Sequence, residues 1–422
     1  MSKNKYRPYP KYKPSGIDWL GDIPEWWELL KVKHLFKISE EASFEANPTI
    51  LSLTQHGIKK RDISNNEGQI ASSYSGYRKI SIGDVVLNIM DLLSGFVDRS
   101  QYNGVISPAY ATLKPTKKIE TKYFNYFFQK HYFEKIFFPF GQGVSVDHRW
   151  TLKDFTLLNF PIIKPTFEEQ EKIAKFLDNK LEKIDQIIEK NNHLVELLHE
   201  KRQAVITRAV TKGLDPHAHL KFSGIDWLGD IPENWEVKRL NYLISNIVDK
   251  ATNSQKSDFI VALENIEGWT GNFLLPDDQK MPEGDLKRFS KGDVLFGKLR
   301  PYLAKVFLAE QNGLCVGEAL VFRTKRKLLN KFLAYRILTK DFINYIDSST
   351  QGAKMPRAEW EFIKTLFISY PSSEEQQKII KYIDHKTAKI DEIVKKVKTE
   401  NQKLQEYRQA LISNAVTGKI QV

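Results

Sequence analysis

The sequence SGIDWLGDIPE at residues 15–25 returns unchanged at residues 223–233. A run of eleven identities does not arise by chance, and the interval between the copies is far longer than the periods of solenoid or propeller repeats. The chain therefore contains two copies of one unit. Within this repeated motif, turn-forming Gly, Asp and Pro alternate with large apolar residues, which predicts a short ordered loop with buried anchors.

The apolar anchors of the repeated motif have two interpretations. Trp19 and Leu20, with Trp227 and Leu228 in the second copy, either pack the motif onto its own domain or form a docking surface for another protein. Large apolar side chains held by turns usually pack internally, which favours the first interpretation.

A second repeated segment predicts two long helices. PTFEEQEKIAKFLDNKLEKIDQIIEK begins at Pro165, and PSSEEQQKIIKYIDHKTAKIDEIVKK begins at Pro371. Each proline is followed by acidic residues that suit the positive end of a helix dipole. The first helix is expected over residues 167–211, and about 45 helical residues would span roughly 65 Å at 1.5 Å per residue. Between these landmarks, KISIGDVVL at residues 79–87 pairs with RFSKGDVLF at residues 288–296.

Both helices carry a narrow apolar seam with heptad spacing. A long helix with one apolar stripe needs a partner, and the nearest is the equivalent helix of the other copy. The first seam contains Leu177, Ile184, Asn191, Leu198 and Val205, with Ile187 and Leu194 at the other seam position. The second contains Ile383, Ile390, Val397, Leu404 and Leu411, with Ile379, Ile393 and Tyr407 between them. Asn191 either fixes the register or marks a kink, and both interpretations stay open.

Composition bounds the class of protein. A chain of 422 residues suits two globular units plus extended helices. The absence of a long apolar run or a secretory signal argues against a membrane protein. The single cysteine excludes an intrachain disulfide or a thiolate zinc cluster and indicates a reducing, cytoplasmic setting. A net charge of +12 and a pI near 9.3 favour a polyanionic partner.

The pattern predicts α+β domains, because short β-rich runs mix with helical segments. The aromatic-rich residues 121–138 are expected to form a buried helix pair. The predicted organisation is a loose basic arm at 1–14, a first domain at 15–164, a first long helix at 165–211, a linker at 212–222, a second domain at 223–370 and a second long helix at 371–422. His217 and His219 lie in that linker, where a solvated pair is expected rather than a metal site.

Motifs of catalysis and cofactor binding are absent from the sequence: it has no GxxxxGK[ST], GxGxxG, HExxH, CxxC or GxSxG. Both copies instead have a basic or amide-rich loop before the long helix, GQGVSVDHRW at residues 141–150 and QGAKMPRAEW at residues 351–360. Such loops suit phosphates or guanine edges. The candidate DNA-binding residues are Lys59, Lys60, Arg61, Arg78, His148, Arg149, Lys298, Arg300, Lys354 and Arg357.

These motifs resemble those of the specificity subunit of type I restriction-modification systems. The resemblance lies in GIDWLGDIPE, in GDVLFGKLRPYLAKV at residues 292–306, in SGF and GVISPAY within residues 94–110, in QGAKMPR, and in the helices that begin with EEQ. It covers nearly the whole chain.

The resemblance implies two tandem target recognition domains, each reading one half of a split site in double-stranded DNA. It also implies that the two long helices pair antiparallel as a coiled-coil spacer with internal pseudo-two-fold symmetry. Two methyltransferase subunits are expected to bind the helices and the repeated motifs, and restriction and translocation subunits to join the full complex. The family's members do no chemistry themselves, so no cofactor is expected on this chain, and S-adenosylmethionine, ATP and Mg²⁺ are expected on the partners.

Two other functions remain as alternatives. The first is a coiled-coil scaffold with two protein-binding heads and no role in reading DNA, against which the basic charge and the divergence of the loops argue. The second is a nuclease or methyltransferase in its own right, which the missing motifs disfavour.

Overall fold

A computed structural model describes residues 6–45, 47–61, 74–143, 150–251, 259–275, 284–325, 327–350 and 355–422. The chain divides into two compact units. The first unit consists of Met1–Lys190 together with Thr399–Val422, and the second consists of Asn191–Lys398. Each unit therefore contains one globular domain, the beginning of the long helix that follows it and the end of the other long helix.

The first unit contains twelve described strands and the beginning of a helix that continues into the second unit. The strands are β1 (Tyr12–Pro14), β2 (Asp22–Pro24), β3 (Glu28–Lys31), β4 (Phe36–Ile38), β5 (Leu51–Thr54), β6 (Gly57–Lys60), β7 (Arg78–Ile80), β8 (Val85–Leu87), β9 (Val97–Arg99), β10 (Gly104–Ile106), β11 (Ala111–Pro115) and β12 (Pro161–Lys164). The helices are α1 (Thr121–Phe133), α2 (Asp154–Asn159) and α3 (Phe167–Lys212).

The second unit has β13 (Leu220–Phe222), β14 (Asp230–Pro232), β15 (Glu236–Arg239), β16 (Ile244–Asn246), β17 (Ile260–Val261), β18 (Leu286–Phe289), β19 (Val294–Gly297), β20 (Val306–Leu308), β21 (Gly313–Val316), β22 (Ala319–Thr324) and β23 (Phe367–Tyr370). Its helices are α4 (Leu240–Leu243), α5 (Asn330–Ile337), α6 (Lys340–Ser348), α7 (Trp360–Ile363) and α8 (Ser373–Val416), the last of which continues into the first unit.

The two units share one set of strand pairings. A four-stranded sheet has the order β4-β11-β8-β9 in the first unit and β16-β22-β19-β20 in the second. Each unit also pairs the strand before its long helix with a strand near the repeated motif, β12 with β3 and β23 with β15. The hairpins β1–β2 and β13–β14 correspond in the same way. We call these three pairings the shared frame.

Outside the shared frame the units differ. The first unit has the antiparallel pairs β5–β6 and β7–β10, with a parallel bridge from Ile50 to Val105 beside them. The second has the three-stranded sheet β17-β21-β18, in which β17 and β21 also run parallel, and its described strands include no counterpart of β6. A small apolar cluster around Leu51, Ile58 and Ile106 packs these extra strands of the first unit. We call these strands the variable part of each unit.

Local capping explains where the long helices begin and end. The backbone N–H of Glu169 donates to Thr166 Oγ1 (3.3 Å), and the backbone N–H of Thr166 donates to the Glu169 carboxylate (3.2 Å), which is a capping box. At α8 the backbone N–H of Glu375 likewise donates to Ser372 Oγ (3.3 Å). Gly213 and Gly418 follow the two helices with φ of 75° and 71°, the left-handed conformation that commonly ends a helix.

The segment before the repeated motif is more ordered than the sequence predicts. Within the expected loose arm, Tyr9 is buried and Tyr12–Pro14 form strand β1. The expected linker likewise ends in β13. The motif itself does not stay a loop throughout, because Asp22–Pro24 form β2. These short strands escape sequence patterns because three residues are too few to show an alternation.

The aromatic-rich residues 121–138 form one helix, α1, followed by a single 3₁₀ turn, Phe138–Phe140, rather than the predicted helix pair. Lys135, with φ of 54°, lies in the left-handed conformation just after α1. The pair of helices occurs instead in the second unit, as α5 and α6.

The second of the two predicted seam positions on the long helices is wrong except at Ile379, which is buried as expected. Leu177, Ile184, Ile383, Ile390 and Val397 are buried as expected. Ile187, Leu194, Ile393 and Tyr407 are instead 41–46% exposed. The buried residues near them are Leu181, Val394 and Ile206. An α-helix has 3.6 residues per turn, so a strict heptad drifts around its surface, and the globular domain covers a further side of the first turns.

None of the helices in the described part of the chain combines the length and the apolarity that crossing a bilayer requires.

Candidate nucleic-acid interface and anchor residues

In the second unit the structure brings two predicted basic segments together. Leu299 forms a β-bridge with Arg357. The backbone N–H of Arg300 donates to Pro356 O (2.8 Å), and that of Ala358 donates to Lys298 O (2.8 Å). The loop after β19 and the segment before α7 therefore form one surface that carries Lys298, Arg300 and Arg357.

The charges of this surface are partly balanced. Glu318 lies 3.0 Å from the Arg357 guanidinium and 3.9 Å from Lys298 Nζ. One carboxylate thus faces two cations, and Arg300 is exposed beside them. Such an arrangement holds the long side chains in place while it keeps a net positive charge, which suits contact with phosphates or base edges.

The loop that carries Arg300 is unusually constrained. Arg300 and Ala304 have φ of 51° and 48°, and they flank the 3₁₀ turn Pro301–Leu303. Trp269, with φ of 65°, donates its backbone N–H to Ala304 O (3.1 Å). Non-glycine residues in this conformation cost about 1–3 kcal/mol each and concentrate at functional sites. The exposed Tyr302 at the tip of the turn adds an aromatic surface.

In the first unit, backbone hydrogen bonds hold the equivalent loop in the same way, but the loop exposes different side chains. The backbone N–H of Leu92 donates to Trp150 O (3.0 Å), and that of Leu152 donates to Ile89 O (2.8 Å). The loop after β8 exposes Met90 and Leu93 instead of cations. The candidates next to Trp150, His148 and Arg149, lie outside the described residues, as does Lys354 of the second unit.

The remaining basic candidates of the first unit lie on its variable part. Lys59 and Lys60 are exposed at the end of β6, and Lys60 Nζ lies 5.2 Å from the centre of the Tyr102 ring. Arg61 is half-buried beside them. Arg78 donates from Nη1 to Tyr110 O (3.0 Å), so its guanidinium ties β7 to the segment before β11.

The hairpin β5–β6 is hydrogen-bonded to β9 of the four-stranded sheet through Asp98. The backbone N–H of Ile58 donates to Asp98 Oδ2 (2.8 Å), and a Cβ on Gly57 would lie 2.5 Å from that carboxylate oxygen. Gly57 therefore permits the close approach that holds Lys59 and Lys60 against β9.

The anchors of the repeated motif pack within their own units. Trp19 stacks on Phe160 with ring centroids 5.8 Å apart and lies edge-on to His131 at 4.9 Å. Leu20 is buried. In the second unit, Trp227 stacks on Tyr345 at 5.1 Å, with the Arg336 guanidinium 5.4 Å from its ring. Leu228 is half-buried.

Burial shifts the titration of the groups beneath these two Trp residues. It lowers the pKa of His131 to about 3, and the Phe127 carbonyl, 2.6 Å from Nδ1, opposes that shift only in part. It also lowers the pKa of Arg336, to about 10. At neutral pH the first unit therefore buries a neutral imidazole where the second buries a charged guanidinium.

Three anchor residues at the start of each long helix fasten it to its domain, and sequence reasoning missed all of them. The first is a glutamate, which accepts a hydrogen bond from a buried tryptophan. Trp27 Nε1 donates to Glu169 (3.4 Å), and Trp235 Nε1 donates to Glu375 (3.1 Å). On the other side of Trp27, a Cβ on Gly418 would lie 3.2 Å from the ring.

The second anchor is the buried glutamine after each glutamate. Gln170 Oε1 accepts from the backbone N–H of Glu120 (2.9 Å), just before α1. Gln376 Oε1 accepts from the backbone N–H of Leu329 (2.8 Å), just before α5. Each glutamine thus satisfies a donor at a helix N-terminus that would otherwise be unpaired in the domain core.

The third anchor is an aspartate two turns further along. Asp178 accepts from Lys122 Nζ (2.6 Å) and the Tyr126 hydroxyl (2.7 Å). Asp384 accepts from Lys331 Nζ (2.8 Å) and the Tyr335 hydroxyl (2.5 Å) in the same arrangement. Burial and the aspartate hydrogen bond raise the pKa of both tyrosines well above the usual range.

A signal for these anchors was present in the sequence. Glu169, Gln170 and Asp178 recur as Glu375, Gln376 and Asp384 at one constant offset. Repetition of polar residues amid diverged neighbours indicates a shared contact, but the partner residues on α1 and α5 cannot be read from the helix alone.

Four of the predicted seam residues are less enclosed than the others. Asn191, Leu198, Val205 and Leu404 are half-buried, whereas Leu411 is buried. Among the described residues no group of three or more His, Cys, Asp or Glu side chains has an arrangement that could hold a metal ion.

Comparison with known proteins gives consistent matches. Residues 232–403 match the family model described as type I restriction modification DNA specificity domain. The putative type I restriction enzyme MjaX specificity subunit of Methanocaldococcus jannaschii is 23% identical over 433 aligned residues, which cover 96% of each protein. The type I restriction enzyme EcoDI specificity subunit of Escherichia coli is 22% identical, with 66% of each protein covered.

A solved structure shares the fold. It belongs to a study of complex assembly and conformational transition of a type I restriction-modification system, and it superposes with a TM-score of 0.67 at 14% identity, covering 93% of this chain and 98% of the other. The shared frame, the duplicated long helices and these matches lead to one conclusion. Over nearly its whole length this chain is similar to the specificity subunits of type I restriction-modification systems, and residues 232–403 match the DNA specificity domain of that family.

Proposed function

We propose that this chain reads a bipartite DNA sequence, with each unit contacting one half-site. The observation that carries the proposal is the combination of a shared frame with different variable parts. Two copies that keep their anchors but change their exposed loops can present different side chains to two DNA sequences from equivalent positions. The loop of Arg300 and Arg357 supplies cations in the second unit, and the β5–β6 hairpin supplies Lys59 and Lys60 in the first.

The affinity and the specificity come from different groups in this proposal. The net charge of +12 supplies the salt-dependent attraction to phosphates. A few side chains held on constrained loops contact base edges in the major groove. The left-handed residues around Pro301 make such a loop stiff, which favours a fixed register on the bases.

The two long helices are proposed to pair antiparallel and to act as the spacer between half-sites. Contacts inside each unit support this direction. In the first unit, Asp185 lies 3.1 Å from Arg408, while Glu169 and Gly418 both contact Trp27. Moving from the first contact to the second goes backward along α3 and forward along α8, as an antiparallel pair requires.

The second unit supports the same direction independently. Arg202 lies 3.4 Å from Asp391, while a Cβ on Gly213 would lie 3.4 Å from the Glu375 carboxylate. Here the path goes forward along α3 and backward along α8. Because the three anchors fasten each domain to its helix, the length of the helices is proposed to determine the distance between the two DNA contacts.

The chain is proposed to be a non-catalytic subunit that docks two methyltransferase subunits. S-adenosylmethionine, ATP and Mg²⁺ are assigned to the partners, and restriction and translocation subunits join through the methyltransferases. A cytoplasmic location, expected from the single cysteine, stays a prediction. The scaffold alternative gives no reason for the basic constrained loop at Arg300.

The test is sequencing of modified adenines in a host that expresses this chain with the methyltransferase subunit of the same system. We expect a split, asymmetric methylated motif that disappears when this chain is omitted. A stable complex that methylates no new motif would contradict the proposal and favour the scaffold. Retention of the purified complex on DNA, measured from 50 to 300 mM salt, separates loss of DNA binding from loss of methylation.

A further inference from the structure

An open groove in the second unit corresponds to a filled position in the first. The groove has a volume of about 390 Å³ and lies along the last turns of α3 beside Tyr382 of α8. Its walls include Lys201, Ala204, Arg208 and Pro216. Tyr382 is 39% exposed. The Tyr382 ring therefore presents an accessible aromatic surface in the groove.

The equivalent position in the first unit is occupied by a tyrosine. Phe176 corresponds to Tyr382 by the helix repeat. Tyr6 lies edge-on against Phe176, with ring centroids 5.4 Å apart and an interplanar angle of 88°. Both rings pack against the main core of that unit. Edge-to-face aromatic pairs of this kind contribute about 0.5–1.5 kcal/mol beyond their buried area.

The path of the chain explains why the second unit lacks this tyrosine. In the first unit two separate segments lie side by side, because Arg7 forms a β-bridge with Gln421. In the second unit one continuous segment from Gly213 to β13 takes this place. Counted by the interval between the two copies of the repeated motif, which begin at residues 15 and 223, Arg7 corresponds to Asp215. Counted by the interval between the two long-helix segments, which begin at Pro165 and Pro371, Gln421 also corresponds to Asp215. Tyr6 and Ile420 both correspond in the same way to Leu214, a smaller residue that lines the groove and is 40% exposed.

The open groove also differs from the filled one in charge. Lys201 and Arg208 line it, whereas the first unit has Tyr407 and Asn414 at the equivalent positions. Lys386 Nζ lies 5.6 Å from the centre of the Tyr382 ring, as Lys180 Nζ lies 6.0 Å from the Phe176 ring, so the difference in charge comes from Lys201 and Arg208. An aromatic side chain that enters here would bring its flanking residues within reach of these cations. Carboxylates beside the aromatic residue would therefore be favoured.

We propose that the groove at Tyr382 receives an aromatic side chain from an acidic surface segment of a methyltransferase subunit. This inference rests on the proposed function, which requires that subunit as a partner. The inserted ring would pack on Tyr382 as Tyr6 packs on Phe176, and carboxylates next to it would pair with Lys201 and Arg208. The two units then differ in docking, since the first unit fills its own groove and the second takes the aromatic group from the partner.

The first experiment is site-specific photo-cross-linking in the purified complex. p-Benzoylphenylalanine is placed at Tyr382 in one variant and at Phe176 in a matched control. We expect the Tyr382 variant to cross-link to a methyltransferase peptide that contains Tyr, Phe or Trp beside Asp or Glu. The Phe176 variant is expected to cross-link to residues near Tyr6. Reaction of the Tyr382 variant only within its own chain, or with a partner peptide that lacks an aromatic residue, would overturn the proposal.

The second experiment fills the groove. Ala204→Trp places a large ring in the groove from an exposed helix position, and Ala410→Trp makes the same change at the equivalent position of the first unit. We expect Ala204→Trp to weaken methyltransferase binding at least tenfold, and Ala410→Trp to change it less than twofold. Equal affinities for the two variants would contradict the proposal. Lys201→Glu combined with Arg208→Glu provides a second test if Ala204→Trp does not fold.

The same samples distinguish an error in the proposed function from an error in the assignment of the groove. If the wild-type chain forms no complex with the methyltransferase subunit, the proposed partner is wrong and this inference falls with it. If the wild-type complex forms and is retained on DNA, while Ala204→Trp binds the subunit equally well, the groove assignment alone is wrong.

Discussion

The two units agree in the residues that fasten them and differ in the residues that they present. Glu169, Gln170 and Asp178 make the same contacts as their counterparts on α8, although the helices α1 and α5 share few residues. The variable parts share a parallel pairing, Ile50 with Val105 in the first unit and β17 with β21 in the second, but only the first has the hairpin β5–β6 among its described strands. The comparison shows that the residues that attach each unit to the long helices recur, whereas the exposed strands and loops of the two units differ.

Exchange of a whole domain gives the largest expected effect. Replacing residues 27–160 with the recognition domain of another specificity subunit should change one half of the methylated motif completely and leave the other half unchanged. The reason is that Glu169, Gln170 and Asp178 of α3 make contacts that recur in the second unit, so a related domain that supplies the same contact groups can attach to α3 while it presents a different variable part. Sequencing of modified adenines measures the outcome. Alteration of both half-sites would show that the units do not read DNA independently.

An insertion in a long helix tests whether the helices to which the two units are attached set the distance between the half-sites. Four additional residues in the middle of α3, near residues 190–195, lengthen it by about 6 Å. DNA rises about 3.4 Å per base pair, so the gap between half-sites should grow by one or two base pairs while both half-sites keep their sequences. The methylated motif is the measurement. An unchanged gap in an active variant would rule out the helices as the spacer.

Removal of one loop cation should have a smaller effect that is confined to one unit. Arg300→Ala is expected to weaken DNA binding by about ten- to a hundredfold if Arg300 contacts a base, as loss of one such contact costs about 1–3 kcal/mol. The methylated motif should relax only at positions in the half-site of the second unit. Lys221→Ala, an exposed cation on β13, is the control. Binding is measured at several salt concentrations, and equal losses for both variants would contradict a specific role for Arg300.

Acidification should lower the stability of the first unit, through His131, more than that of the second. The pKa of His131 is about 3 in the folded protein and about 6.5 in an unfolded chain. Between these values the unfolded state binds a proton that the native state excludes. The free energy of unfolding therefore falls as pH falls through this range, by up to about 1.4 kcal/mol per pH unit. His131→Gln should reduce this slope in urea unfolding at pH 6.5 and 4.5, whereas parallel slopes would refute the assignment. Arg336, charged throughout this range, adds no such dependence.

The smallest expected effect comes from loosening one anchor. Asp178→Asn keeps the size of the side chain but weakens its bonds to Lys122 and Tyr126, which lie partly exposed to water. We expect a loss of about 1 kcal/mol of stability and faster hydrogen exchange in α1 but not in α5. Asp384→Asn should give the reverse pattern. Faster exchange in both helices for either variant would mean that the anchors do not act within single units.

The sequence predicts the duplication, the α+β class and the long helices because each leaves a local signal. Pro165 and the acidic residues after it indicate the start of α3, and the capping box at Thr166 bears this out. The predicted burial of Ile187 and Leu194 is wrong, because burial there depends on what packs beside the helix. A heptad pattern within one helix does not contain that information. Lys298 and Arg357 are far apart in sequence, and only the fold shows that they share Glu318. His148, Arg149 and Lys354 stay predictions.

The division of the chain also sets an order of folding during synthesis. The second unit is one continuous stretch, Asn191–Lys398, whereas the first joins Met1–Lys190 to Thr399–Val422. Gly418 packs on Trp27, and the Tyr123 hydroxyl donates to Val416 O (2.9 Å). The hydrophobic core of the first unit is therefore incomplete until Val416 and Gly418 have left the ribosome. The domain that is translated first is therefore completed last. Its closure must also overcome the entropy of a loop several hundred residues long.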